Sequence, residues 1–184
     1  MGNGKHKPGP TGLHAKGGGT ATAPSMADQI VGYVRRQSGT RVGDGECFTL
    51  ANRALQAAHA KSARDYGTVT PTADYTWGAA TTLANLQPGD VIQFRDYGYE
   101  RKDVTETDRE TKTTEHSERR PHHTAIVQSV DGNGAVTVVE QNSPVRSAVR
   151  RTQLFFTSRS FKTGNTTTTI TVDGTVWFYR PEAR

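Results

Sequence analysis

From residue 25 onward the apolar positions follow two different spacings, and the change between them divides the chain. Ile30, Val31 and Val34 form one stripe at helical spacing. Ser25, with Asp28 three positions on, makes a capping-box-like start, and Gly39 lies where a helix C-terminus favours glycine. A short amphipathic helix over about 26–37 is predicted. After the glycine-flanked turn at 43–45, Phe48, Leu50, Ala51, Ala54, Leu55 and Ala58 fall on one broad apolar face. No Gly or Pro interrupts Cys47 to Ala60, so this stretch reads as a second helix with Cys47 in its first turn.

Residues 61–88 show neither period and end in the turn phrase Gln87-Pro88-Gly89-Asp90, from which Val91, Ile92 and Phe94 begin a strand. His123 to Val130 alternates, 131–134 (Asp-Gly-Asn-Gly) is a hairpin turn, and Ala135 to Asn142 alternates back. Gln153 to Thr157 and Gly174 to Tyr179 supply two further strands, with a threonine run at 166–169 between them. Residues 101–120 carry 12 charges, six of each sign, and no Phe, Tyr or Trp. They read as a solvated insertion at about 99–121, either a loop or two ragged strands. Helices first and an antiparallel sheet afterwards make an α+β layout. Residues 1–24, rich in Gly, Pro and Lys, hold too few large apolar side chains to offset the entropy of ordering and read as a flexible leader. One domain over 25–184 remains.

Composition narrows the function classes. The chain has 184 residues, enough for one core, and only 33% are hydrophobic. The net charge of +5 is uneven: residues 1–26 carry three lysines and no acid, 27–145 hold 13 basic against 16 acidic groups, and 146–184 hold 7 against 2. A slightly acidic core between basic ends argues against a nucleic-acid binder, which concentrates its basic groups on the folded face. No apolar run approaches the ~20 residues of a membrane span, and residues 1–26 lack the apolar stretch of a secretory signal. Synthesis in the cytoplasm is expected, with any release by lysis or a non-classical secretion route. The single cysteine, Cys47, excludes an internal disulfide and a multi-cysteine zinc site. No cofactor or metal is expected, since His122 and His123 are adjacent rather than spaced for one face.

Four positions carry candidate chemistry: Cys47, His123, Glu140 and Asn142. A thiol attacks as thiolate, and a helix N-terminus beside an imidazolium lowers its pKa into the useful range. The bland alternative for Cys47 is a small buried hydrophobe. His123 opens a strand, and in a regular strand its neighbour His122 points to the opposite face, so one of the two faces Cys47. Glu140 and Asn142 are two apart, which places them on one face if the strand continues, across the hairpin from His123. A carboxylate or amide beside an imidazole fixes its tautomer and steadies its charge, as a Cys–His pair requires of its third member.

The phrases GDGECFTLANRAL, LQPGDVIQF and HTAIVQSVDGNGAVTVVEQN together resemble the CHAP family, the cysteine- and histidine-dependent amidohydrolase/peptidases related to NlpC/P60 enzymes. The resemblance covers about 40–142. It implies a papain-like fold with Cys47 as nucleophile, His123 as general base, Glu140 as orienting acid and Asn142 as a supporting polar group. It further implies a peptidoglycan or peptide substrate; Asp44, Glu46 and Trp77 are the candidate substrate-binding residues. Many CHAP domains have glutamine immediately before the cysteine, whereas this chain has Glu46. An ionised carboxylate cannot donate a hydrogen bond to an oxyanion, so that support falls to backbone N–H groups. The GDGEC phrase also resembles the cysteine-proteinase-fold domain of fungal actin-patch proteins with SH3 domains. That resemblance implies the competing class, a non-catalytic or protein-directed interaction module, with the 101–120 insertion as a candidate partner surface.

Overall fold

The computed structural model describes Met1 and residues 22–184. The expected leader at 1–24 therefore lies almost wholly outside the described residues. Helix α1 (Met26–Arg36) starts at the expected capping box: the Ser25 hydroxyl accepts from the Asp28 N–H while the Asp28 carboxylate takes the Ser25 N–H. Helix α2 (Cys47–Ala57) begins at Cys47, as its apolar face requires, and stops three residues before the predicted end. Two single 3₁₀ turns, Ala63–Asp65 and Leu83–Asn85, and the three-residue strand β1 (Ala79–Thr81) occupy the stretch that showed no period. Among the described residues, no helix is long and apolar enough to cross a membrane.

The remaining strands are β2 (Val91–Glu106), β3 (Thr111–Val130), β4 (Ala135–Glu140), β5 (Arg150–Phe155), β6 (Arg159–Thr163) and β7 (Thr166–Arg180). They form one antiparallel sheet in the order β1-β7-β2-β3-β4-β5, with β6 on the far end of β7. The architecture is α+β, two helices on a seven-stranded sheet. Val91, Ile126 and Val139 are cross-strand partners on the side that the helices cover, where they meet Ile30, Val34, Leu50 and Leu55. Ile92, Phe94, Val127, Val138 and Leu154 fill a second core on the other side. There the sheet closes over itself, and the Tyr97 and Tyr99 hydroxyls reach back to donate to the β5 carbonyls of Phe155 and Gln153.

Of the two alternatives for the charged stretch 101–120, a loop or two strands, the structure shows strands, and regular ones. The stretch belongs to β2 and β3, which pair without interruption of register from Val91↔Ile126 to Glu106↔Thr111. The threonine run belongs to β7, which pairs along β2 as far as Thr105↔Thr166. Threonine and cross-strand opposite charges suit a largely solvated strand, so the polar composition marks a projecting arm of regular strands, with Thr168 and Ile170 of β7 buried on one face. The arm joins the base of the sheet at a bulge. Asp96 has φ 52°, the β2–β7 register shifts between Arg95 and Gly98, and Gly174 takes φ 84° against the Asp96 carbonyl. A Cβ on Gly174 would stand 2.2 Å from that carbonyl oxygen, which only glycine avoids.

Candidate active site

The loop before Cys47 is built to hold the start of α2. Gly43 and Gly45 adopt φ 61° and 89°, conformations open to glycine at low cost, and the Asp44 carboxylate accepts the Glu46 N–H at 3.0 Å. Gln141, fully buried just beyond β4, pins the same loop. Its amide donates to the carbonyls of Val42 (3.0 Å) and Glu46 (2.7 Å) and accepts the Val42 N–H at 2.9 Å. Cys47 is thereby fixed as the first residue of a helix, half-buried, and its thiol is free. Burial pushes that thiol up, but hydrogen bonding and charge from His123, with backbone hydrogen bonds at Thr124 and Phe48, pull it below its ordinary value.

His123 does not open a strand as expected but lies inside β3, which starts at Thr111, with 4% of its surface exposed. Its Nε2–H donates to Glu140 Oε2 at 3.0 Å, which leaves Nδ1 as the nitrogen for Cys47. Burial presses the imidazole down, but the Cys47 and Glu140 interactions outweigh it and raise the ring to about 9. Glu140 has no exposed surface, and all four of its acceptor positions are filled. Oε2 takes His123 Nε2–H and Arg120 Nε–H (2.9 Å), while Oε1 takes Arg120 Nη2–H (2.6 Å) and the Thr152 hydroxyl (2.6 Å). Burial favours its neutral form; the His123 and Arg120 hydrogen bonds prevail and bring it down to about 2. The site therefore brings together a carboxylate, an imidazole with a defined hydrogen-bond direction and a thiol held below its ordinary value.

These groups open into a groove of about 960 Å³ lined by Asp44, Glu46, Cys47 and His123, with Pro71 and Val145 on its walls. His122 faces away from His123, as strand alternation requires, and bonds the Ala73 carbonyl at 2.7 Å. Asn142 departs from expectation. Strand β4 ends at Glu140, and Asn142 turns with φ 64°, so the shared strand face is lost. Its carboxamide donates to Glu46 Oε2 at 2.8 Å and accepts the Arg146 N–H at 2.7 Å. It thus braces Glu46 and the turn, not the imidazole. Glu46 lines the groove as the α2 N-cap residue without capping the helix by its side chain. Trp77, expected near substrate, is a core residue with no exposed surface; its indole N–H bonds Gln93 Oε1 at 3.2 Å.

Comparison with family models places residues 20–184 in the AIM3/BBC1 cysteine proteinase-fold domain. The chain belongs to that family. Comparison with curated proteins and with solved structures gives no match. The family match follows the second of the two resemblances drawn from the GDGEC phrase; it supports the cysteine-proteinase fold and carries no support for CHAP membership. Sequence reasoning missed three residues of this AIM3/BBC1 domain's site: Arg120, Thr152 and Gln141. Gln141, between the two candidates Glu140 and Asn142, was open to notice as a further amide at the strand end. Arg120 was hidden inside the charged run.

Proposed function

We propose that this domain is a cysteine hydrolase cleaving an amide bond through a thioester on Cys47. The observation that carries the reading is the buried chain of hydrogen bonds from Arg120 through Glu140 to His123, ending at a thiol held below its ordinary pKa. The Cys47 thiolate attacks the carbonyl carbon, His123 delivers its proton to the departing amine, and a thioester remains. His123 then takes a proton from water, which attacks the thioester, releases the acid and restores the thiolate beside the protonated ring. The oxyanion is served by the Cys47 backbone N–H at the start of α2, because the Glu46 carboxylate beside it cannot donate. The amide of a peptide suits the open groove. Peptidoglycan amides are a narrower proposal that rests on the CHAP resemblance alone.

The competing reading is a groove that binds a peptide without turning it over, and the placement of Glu46 at the oxyanion side favours it. The two separate on the pH dependence of Cys47 alkylation by iodoacetamide, in the wild type and in His123→Ala. Fast alkylation well below pH ~8.5, the pKa of an ordinary thiol, that is lost with His123 supports the hydrolase. Peptide amides and peptidoglycan fragments are then assayed side by side. An ordinary thiol titration, unchanged by the substitution, overturns the hydrolase and leaves the binding groove.

A further inference from the structure

Arg120 and His123 are three residues apart on β3, a spacing that puts side chains on opposite faces of a regular strand. Here both reach the same carboxylate, Glu140. The bulge accounts for it. Arg95↔His122 and Tyr97↔Arg120 are paired on either side of Asp96, whose φ of 52° turns the strand, so the alternation changes face across Pro121. The guanidinium that results is 2% exposed and bidentate on Glu140, and its remaining nitrogen donates to Glu118 Oε2 (2.9 Å) and the Arg119 carbonyl (2.7 Å).

We infer that Arg120 is a positioning residue of the active site: it holds Glu140 in the plane and charge state that fix the His123 tautomer, with Nε2–H on Glu140 and Nδ1 toward Cys47. This rests on the hydrolase reading and assigns a role to the Arg120 end of its hydrogen-bond chain. The physical case is the cost of the alternative. A carboxylate with no exposed surface keeps its charge only if every acceptor position is matched, and Arg120 fills two of the four in a single plane. A lysine ammonium there keeps the charge but supplies a point donor without the fork. Other ionisable groups also face the network. Tyr97 and Tyr99 approach Arg120 from β2, and Glu118 bonds it within β3. From β5, Arg150 lies 3.8 Å from Glu140; at the thiol end stand Cys47 and, beyond it, Tyr75. None of these donates to Glu140 Oε2, the oxygen that holds His123, so they do not replace Arg120 Nε.

The test is the ¹⁵N NMR titration of the His123 ring in the wild type, Arg120→Lys, Thr152→Val and Cys47→Ala. In the wild type the ring is expected to titrate well above the ordinary histidine value and, once neutral, to carry its proton on Nε2. Because Arg120→Lys conserves charge, any change reports geometry: the ring's titration is expected to fall by about one pH unit, and the neutral ring to populate both tautomers. Thr152→Val, which removes a single bond on Oε1, should move the titration the same way by less. A purely structural role for Arg120 lowers the melting temperature and leaves titration and tautomer alone; that outcome in a folded Arg120→Lys overturns the inference. Should that variant fail to fold, an unchanged titration in Thr152→Val overturns it equally. A wild-type ring that titrates near the ordinary value and ignores Cys47→Ala instead sinks the hydrolase reading, so the two failures are distinct.

Discussion

Arg120 and Lys102 lie on neighbouring strands of one sheet, and each pairs with a glutamate, yet the two pairs belong to different physical worlds. Arg120 and Glu140 are 2.6 Å apart with 2% and 0% of their side chains exposed; Lys102 and Glu115 are 3.3 Å apart with 54% and 68% exposed. At the base of the sheet a charge is tolerable only when every donor and acceptor is matched, so position is tightly determined. On the arm, water screens each charge and supplies missing partners, so the same residue types are nearly interchangeable. The strands run unbroken through both regions. What separates them is cover: β5 still lies over Tyr97 and Tyr99, just past the bulge at Asp96, whereas Lys102 and Glu115 stand further out and face water.

The strongest way to break this comparison is to empty the base of its imidazole. His123→Ala is expected to lower kcat/KM on a peptide amide by about 10³-fold or more, since members of a nucleophile–base unit fail together. His122→Ala, one residue away on the opposite face and bonded to the Ala73 carbonyl and Gln93, should cost far less. Steady-state rates for the two variants decide the matter; a reversed order would mean that the register of β3 had been misassigned.

Glu140→Gln sharpens the comparison at intermediate size. Turnover should fall less than in His123→Ala, because glutamine still accepts from Nε2–H. Stability should respond more, because Arg120 is left buried without its main counter-charge, at a cost of about 3 kcal/mol near neutral pH. Glu140 lies at about 2 in the fold against an ordinary 4.5. Protons therefore favour the unfolded chain: the contribution is complete above 4.5 and is lost as pH falls from 4.5 toward 2. Denaturant unfolding of both proteins over that window should show the gap between them closing. A gap independent of pH would place the Glu140 effect in packing rather than charge.

How much of this was legible in the sequence follows the same boundary. The helices were readable because apolar spacing and the Ser25–Asp28 box are local signals, and the Cys47–His123–Glu140 set was readable because motif order and strand alternation converge on it. The arm could be read only as either a loop or two ragged strands, because most of its positions face water: Lys102, Thr113 and Thr169 carry no inside or outside. Arg120 was missed for the converse reason. Its burial depends on a bulge at Asp96 and a carboxylate twenty residues downstream, and nothing within the charged run distinguishes it from Arg119, which stays on the surface pairing with Asp173 and Glu100. Asn142 and Trp77 were misplaced because alternation was carried past the end of β4 and because a tryptophan in an aperiodic segment gives no sign of which side it faces.

The smallest expected effect tests the other half of the comparison. If water decides the value of charge on the arm, the coupling between Lys102 and Glu115, from a double-mutant cycle through Lys102→Ala and Glu115→Ala, should fall within about 0.2–1 kcal/mol and shrink further in high salt. The rate of Cys47 alkylation should be the same in all four proteins, since neither residue touches the groove. A coupling as large as that of a buried pair would mean that the arm is covered in solution by something that excludes water, and its status as a solvated extension would have to be abandoned. A change in Cys47 reactivity would go further, because it would show that the bulge transmits what happens on the arm to the Arg120–Glu140 pair at its base.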